Sequence, residues 1–446
     1  MSGMRATDYL AGARRVADST PPDRNRVVDM MRVVSILVVV FGHWLMAAVV
    51  IEEGDLVPGH LLDLADWTHP LTWILQVMPI FFFVGGYSNA LSWRSAQRRG
   101  EHYGAWLRGR LRRLTLPVVP LLLVWGAGGW LAIAAGVDWK LAQMASQVAI
   151  VPTWFLAAYV VIVTLAPIAL VIWERLGWWS IAGGLALSAL TDILSIGVGM
   201  TGVGFLNYVF VWGTVHQLGY AWVGGAAEGW ARRSAMAITG LVGILALVWA
   251  GPYPVAMVGL DTAGLTNSFP PRVTLAFLGL FQAGLVLLAE PKLAKLMQRP
   301  RPWTGVVAIS SQIMTLYLWH MTAMVLAIGA GLVLDGRGFG IAPTTAGWWL
   351  SRPVWLVVLA GVTVLLAAVF GRYERPSPDR RPAPRSWRPL IAAVMVCAGL
   401  GGLAVAGIAD ADGVNGILVT LPVAGLVAGG VLGARWQGDR RAKTSA

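Results

Sequence analysis

Long apolar runs separated by short polar segments recur along the whole chain. Twelve of these runs approach the length of about 20 residues that an α-helix needs to cross a bilayer. They lie near residues 33–51, 70–93, 114–136, 150–173, 177–198, 205–227, 235–256, 273–289, 304–331, 347–370, 389–409 and 415–434. The pattern therefore predicts an all-α, polytopic membrane bundle of about twelve transmembrane helices.

Composition supports this class of protein. Of 446 residues, 57% are hydrophobic and only 13% are charged, as is typical of a multi-span membrane protein. The single cysteine, Cys397, excludes a disulfide scaffold and a metal cluster built on cysteine.

The basic residues indicate how the chain is oriented. With the N-terminus inside, the inner segments hold all but four of the 34 Lys and Arg residues. The four on the outer side are Lys140, Arg272, Arg337 and Arg352. This positive-inside pattern places both termini in the cytoplasm. We expect the protein to lie in the plasma or inner membrane. The pattern also explains the net charge of +12 by topology and lipid headgroups, so we expect membrane lipids and no nucleic acid as partners.

The polar connections suggest a division of the chain. A cytoplasmic segment, 1–32, precedes a ten-helix transmembrane domain at 33–370. A Pro- and Arg-rich cytoplasmic linker, 371–388, separates this domain from a final helix pair at 389–434 and a cytoplasmic tail at 435–446.

The first predicted span contains the most informative polar residues. Arg32 stands at its inner end and His43 lies inside the apolar run, eleven residues later. Eleven steps of 100° come to about three turns, so both side chains share one helix face, about 16 Å apart along the axis. An ionisable group near the bilayer middle is costly to bury, and it usually faces a protein interior or a wet cavity. A histidine satisfied by a neighbouring helix is the alternative.

Further polar residues lie in later spans. Counted from the inner end of the ninth span, His320 lies about 24 Å along the helix, farther out than His43. For Asp192 and His216 we expect structural hydrogen bonds within the bundle.

The chemistry of these groups favours one kind of ligand. The sequence has no phosphate-binding glycine loop, no His-Glu-x-x-His and no Gly-x-Ser-x-Gly, and no helix shows the ligand spacing of a metal site. The inner loop 94–113 is rich in arginine, which binds phosphate bidentately, and a histidine can act as a general base near neutral pH. These features indicate a phosphate-bearing cytoplasmic ligand whose reactive end rises to an intramembrane base.

Five segments follow one another in the order of a known family pattern: Asp29, Arg32 and His43 as an Arg-x10-His signature; residues 79–92; residues 110–117; Trp154-Phe155-Leu156 with Pro167; and Tyr317-Leu318-Trp319-His320. In these segments the chain resembles the acyltransferase-3 family of membrane-bound acyltransferases. One departure from the family pattern lies in the second span, where Gly85-Gly86-Tyr87 replaces the usual Ser-Gly-Phe. The resemblance covers roughly the first 370 residues, so the last two predicted helices lie outside it.

The resemblance implies an enzyme that moves an acyl group, usually acetyl, from cytoplasmic acyl-CoA to a hydroxyl of a cell-envelope glycan or glycolipid, without a metal. His43 would be the general base and Asp29 would orient Arg32. The phosphates of CoA would be bound by four arginines: Arg32, Arg110, Arg112 and Arg113. The acceptor would bind the residues Trp154, Tyr317 and His320. Direct transfer and an acyl-histidine relay both remain open.

Two other classes of protein fit parts of the sequence. A twelve-helix secondary transporter would use the intramembrane His and Asp residues as a proton relay, although the chain shows no duplicated halves. A lipid-binding scaffold would carry out no chemistry. Consumption of acetyl-CoA by the purified protein separates the enzyme from both.

Overall fold

The computed structural model describes residues 6–52, 55–259, 264–374, 382 and 384–432, and these residues are mainly helical. The earlier helices are α1 (Ala6–Asp18), α2 (Arg26–Met46), α3 (Leu61–Leu64), α4 (Thr72–Leu75), α5 (Met78–Arg98), α6 (Tyr103–Thr115), α7 (Val118–Ala134), α8 (Trp139–Ile150) and α9 (Pro152–Leu176). The later helices are α10 (Trp178–Asp192), α11 (Asn207–Val223), α12 (Trp230–Ala250), α13 (Val273–Met297), α14 (Pro300–Ser310), α15 (Ile313–Val333), α16 (Ala346–Phe370), α17 (Trp387–Ala406) and α18 (Gly416–Ala428).

Other regular structure is short. Within the described ranges, β1 (Val50–Glu52) pairs antiparallel with β2 (Asp55–Val57), and β3 (Ala409–Asp410) pairs antiparallel with β4 (Gly413–Val414). The chain also forms 3₁₀ turns at Asp66–Leu71, Thr201–Leu206 and Gly371–Glu374, and a π turn at Ile193–Gly197.

The number of long apolar helices is lower than the sequence predicts. Within the described residues, nine helices are long and apolar enough to cross a membrane, or ten if the bent pair α6 and α7, with 47° between its members, is one span. The predicted runs 205–227 and 415–434 instead form α11, of 17 residues, and α18, of 13 residues. A polytopic helical bundle is thus confirmed, whereas the count of twelve and the inner location of both termini stay predictions.

The chain forms two compact units. The first comprises residues 1–92 and 165–369, and the second comprises residues 93–164 and 370–446. The final helix pair, α17 and α18, which the sequence suggested as a separate addition, belongs to the second unit. The predicted tail at 435–446 and residues 375–381 and 383 of the predicted linker lie outside the described residues.

In the first unit, α2 begins at a well-defined cap. The side-chain oxygen of Asn25 accepts hydrogen bonds from the backbone N–H groups of Val27 and Val28, at 3.0 and 3.4 Å. Such a cap satisfies donors that have no partner inside the helix. From there α2 continues through Arg32 and His43 without a break, as predicted, and packs against α13, α14 and α15.

Close helix crossing in the first unit depends on glycine. A Cβ atom added at Gly86 on α5 would lie 1.8 Å from the carbonyl oxygen of His216 on α11. A Cβ atom at Gly219 would lie 2.2 Å from the carbonyl oxygen of Phe83. Small residues at such positions let two backbones approach closely. Gly86 and Gly219 therefore allow the close contact between α5 and α11.

Asp192 has a structural role in the first unit, as expected. Its carboxylate is 1% exposed and accepts hydrogen bonds from the side chains of Asn207, Tyr253 and Arg272, at 2.8, 3.0 and 3.2 Å. It also accepts from the backbone N–H of Val273, at 2.9 Å, and so caps α13. A buried charge is tolerated when it is paired and hydrogen-bonded in this way.

The second unit is built around α6, α7, α8 and the hairpin of α17 and α18. Helix α17 packs on α6 and α8, and β3 packs on α8. The side-chain amide of Gln143 donates to the carbonyl of Ala406 at 3.1 Å, and that of Gln147 donates to the carbonyl of Val405 at 2.8 Å. Buried Arg108 donates to the carbonyl of Pro382 at 2.7 Å. The two glutamine bonds fix the end of α17 to α8, and the Arg108 bond joins α6 to the linker that precedes α17.

Candidate active site

Two histidines from different helices of the first unit form a pair. Nδ1 of His43, on α2, and Nε2 of His320, on α15, share a hydrogen bond of 2.9 Å. The two rings are nearly parallel, with 3° between their planes and 5.2 Å between their centroids. The sequence placed His320 farther out than His43, and this is wrong because the ninth predicted helix is not continuous. It breaks at Ser311 and Gln312, so that His320 lies seven residues into α15.

The position of His320 is fixed by its own surroundings. Its Nδ1 donates to the carbonyl oxygen of Tyr317 at 2.6 Å, one turn earlier on α15. Its backbone carbonyl accepts a hydrogen bond from the indole N–H of Trp44 at 3.1 Å. His320 is fully buried, and Tyr317 and Trp44 are 3% and 2% exposed. Trp44, which follows His43 on α2, therefore helps to fix the position of α15.

His43 itself is only half-buried. Its Nε2 makes no hydrogen bond in the part of the chain that the structure describes, since the bond to His320 uses Nδ1. His60, in the segment between β2 and α3, lies near enough to interact with His43 electrostatically. A half-buried imidazole is suited to take up a proton when one ring nitrogen is hydrogen-bonded and the other has a free lone pair.

Arg32 lies on the same helix, and its surroundings differ from those predicted. Its side chain is half-buried, yet among the described residues it forms no hydrogen bond and no ion pair. The predicted contact with Asp29 is absent. Asp29 instead accepts a hydrogen bond of 2.6 Å from Nε of Arg24, which raises the pKa of that guanidinium above its usual value. Because Arg24 precedes α2 and lies just outside its first turn, it reaches Asp29, so that within the described ranges Asp29 does not pair with Arg32.

The other predicted site residues belong to the second unit. Arg110 stands over the ring of Trp106, with 5.9 Å from its guanidinium carbon to the ring centroid. On the same helix, α6, Arg112 is half-buried and Arg113 is exposed. Trp154 lies in the first turn of α9, is half-buried and packs edge to face on Phe155, with ring centroids 6.3 Å apart.

Sequence reasoning missed two neighbours of the histidine pair. Trp44 directly follows His43 in the sequence, but 23 tryptophans in the chain made any one of them uninformative. His60 lies in a polar segment, where a histidine gives no signal of its own. Among the described residues no three His, Cys, Asp or Glu side chains are grouped as metal ligands.

The fold and the site together define a multi-pass membrane protein that carries an imidazole suited to proton transfer. The chain belongs to the acyltransferase-3 family, whose model, described as an acyltransferase domain, matches residues 25–372. The match begins at the cap of α2, includes every predicted site residue and stops before α17. Comparison with curated proteins and with solved structures gives no match. The resemblance stated from the motifs is thus confirmed, and the protein is a membrane acyltransferase.

Proposed function

We propose that this protein transfers an acetyl group from cytoplasmic acetyl-CoA to a hydroxyl of a cell-envelope glycan or glycolipid, with His43 as the general base. One observation carries the proposal. Half-buried His43 and half-buried Arg32 lie on the same helix, and among the described residues neither Nε2 of His43 nor the side chain of Arg32 has a hydrogen-bond partner. The family membership supplies the class of reaction, and these two side chains supply the base and the anion-binding group.

The proposed chemistry needs only these groups. Nε2 of His43 takes the proton of the acceptor hydroxyl as the oxygen attacks the carbonyl carbon of the thioester. The C–S bond then breaks, and the CoA thiolate receives the proton that His43 holds. The products are an acetyl ester and CoA, so the base is regenerated in each turnover.

The donor is expected to enter from the side of Arg32. A rise of 1.5 Å per residue separates Arg32 from His43 by about 16 Å along α2, and the pantetheine arm of CoA is long and flexible enough for such a span. Arginine grips phosphate oxygens bidentately, and an arginine without a protein partner keeps its donors available. Arg110, Arg112 and Arg113 are further candidates for CoA phosphate.

The acceptor is expected from the side of His60. The hairpin of β1 and β2 and the short helix α3 follow directly after α2, and residues 52–69 form the segment that the charge pattern assigns to the outside. Trp154 and Tyr317 are candidates for contact with the acceptor. We place the protein in the plasma or inner membrane, with both termini in the cytoplasm.

Transfer of radiolabel from acetyl-CoA to an envelope fraction, and to water, tests the proposal with purified protein in detergent. We expect the wild-type protein to consume the thioester and His43→Ala to lose at least about 100-fold in rate, the range that general base catalysis supplies. Full activity of His43→Ala would refute the assignment of the base. No thioester consumption by the wild-type protein, with proton-coupled flux in proteoliposomes, would favour a transporter.

A further inference from the structure

We propose that His320 is a positioning residue that holds His43 in the one tautomer able to act as a base. The proposal rests on the proposed function, in that His43 is taken as the group that accepts the proton. Its structural part, the tautomer of His43, can be measured without any activity.

The first step follows from the bond between His320 and Tyr317. The partner of Nδ1 of His320 is a backbone carbonyl oxygen, at 2.6 Å. A carbonyl oxygen can only accept, so Nδ1 of His320 must carry a hydrogen. A neutral imidazole carries one N–H, which leaves Nε2 of His320 as an acceptor.

The second step passes this constraint to His43. Nε2 of His320 lies 2.9 Å from Nδ1 of His43, and because Nε2 accepts, Nδ1 of His43 must donate. The hydrogen of neutral His43 is therefore on Nδ1, and its Nε2 carries the lone pair. The unoccupied nitrogen of His43 is the basic one because a carbonyl one helix away fixes the order of the hydrogen bonds.

The surroundings make this arrangement rigid and neutral. Burial of His320 and the bond from the indole of Trp44 to its carbonyl hold the second ring in place. In the described structure neither imidazole is hydrogen-bonded to a carboxylate. A neutral histidine thus takes the orienting role that a carboxylate has in serine hydrolases. When His43 gains a proton at Nε2, its bond to His320 becomes charge-assisted and stronger.

The chain offers variants that separate this role from simple packing. His320→Gln keeps an acceptor near the position of Nε2, whereas His320→Leu removes it at similar volume. His216→Leu is the matched control, since His216 is another buried imidazole of the first unit, hydrogen-bonded to Asn89 at 3.0 Å and outside the proposed site.

The test combines kinetics with nitrogen NMR of histidine-labelled protein in proteoliposomes. In the wild-type protein we expect the resonances of His43, identified by their loss in His43→Gln, to show hydrogen on Nδ1. His320→Leu should lose this preference and about 100- to 1,000-fold in kcat, with KM for acetyl-CoA nearly unchanged. His320→Gln should keep the tautomer and lose less than about 10-fold, and His216→Leu should leave both readouts near wild type.

The possible failures can be told apart. Hydrogen on Nε2 of His43 in the wild-type protein would overturn the proposed tautomer whatever the activity. An active wild-type protein with an equally active His320→Leu variant would overturn the positioning role and leave the proposed function standing. Equal losses in His320→Leu, His320→Gln and His216→Leu would likewise overturn it, because they would show a general packing effect. A wild-type protein with the expected tautomer but no acyl transfer would contradict the proposed function alone.

Discussion

Replacement of Arg32 by alanine should weaken CoA binding and leave the fold nearly unchanged. Arg32 forms no hydrogen bond or ion pair within the described residues, so its loss breaks no bond of the protein. The matched control is Arg26→Ala, six residues earlier on α2. Arg26 is already engaged, because its Nη1 donates to the carbonyl of Met297 at 3.0 Å and its guanidinium lies 4.9 Å from the centre of the Trp303 ring.

The size of the effect follows from the kind of bond. A hydrogen bond to a charged group contributes about 1.5–3 kcal/mol, and each 1.4 kcal/mol changes Kd by about tenfold. Arg32→Ala should therefore raise the Kd of CoA by about 10- to 100-fold. Arg32→Lys keeps the charge and loses the bidentate geometry, so we expect an intermediate value. Arg26→Ala should lower thermal stability and leave the Kd of CoA unchanged.

Calorimetry of CoA binding to detergent-solubilised protein measures these constants, with the thermal midpoint of each variant recorded beside it. The salt concentration must be the same throughout, since screening weakens an interaction between charges. A Kd of Arg32→Ala equal to that of the wild-type protein would refute the phosphate role of Arg32. Equal weakening by Arg26→Ala would show that the effect comes from α2 as a whole.

Three further predictions concern stability. Asp192→Leu leaves Arg272 buried without its carboxylate partner and should cost about 3–5 kcal/mol, seen as a clear fall of the thermal midpoint; an unchanged midpoint would contradict the role of this ion pair. Gly86→Val should cost about 2 kcal/mol or more, because a Cβ there meets the carbonyl of His216, whereas Gly183→Ala, with no atom within 4 Å, should be neutral or stabilising. Truncation after residue 386 removes α17 and α18 and should expose residues 93–164 to limited proteolysis; unchanged cleavage of that segment would show that the second unit does not need the pair.

Much of the helical architecture could be predicted, because apolar length is a strong local signal. Each of the twelve predicted runs overlaps a helix, including the unbroken α2 that carries Arg32 and His43. Two runs form helices shorter than a membrane span, α11 of 17 residues and α18 of 13 residues. Hydropathy reports where apolar residues are concentrated, while caps and turns set where a helix starts and ends.

The contact between His43 and His320 could not be predicted. It depends on the break before α15, where the backbone of Gln312 leaves the helical region at φ −136° and ψ 23°. No proline or glycine marks that break. In the same way, the spacing of Asp29 and Arg32 suggests a contact on one helix face, but Arg24 competes successfully for the carboxylate. The first difference arises from a contact between distant parts of the chain. The second arises from an arginine that precedes the helix and is therefore not part of the helical spacing.

The most direct test of the central claim is the single-turnover rate of acetyl transfer by His43→Gln at saturating acetyl-CoA. Glutamine is close in size to histidine and cannot accept the proton, so only the base is removed. We expect CoA to bind as tightly as in the wild-type protein while the transfer rate falls by at least about 100-fold. A transfer rate within a few-fold of wild type, at equal CoA occupancy, would contradict the claim that His43 is the base.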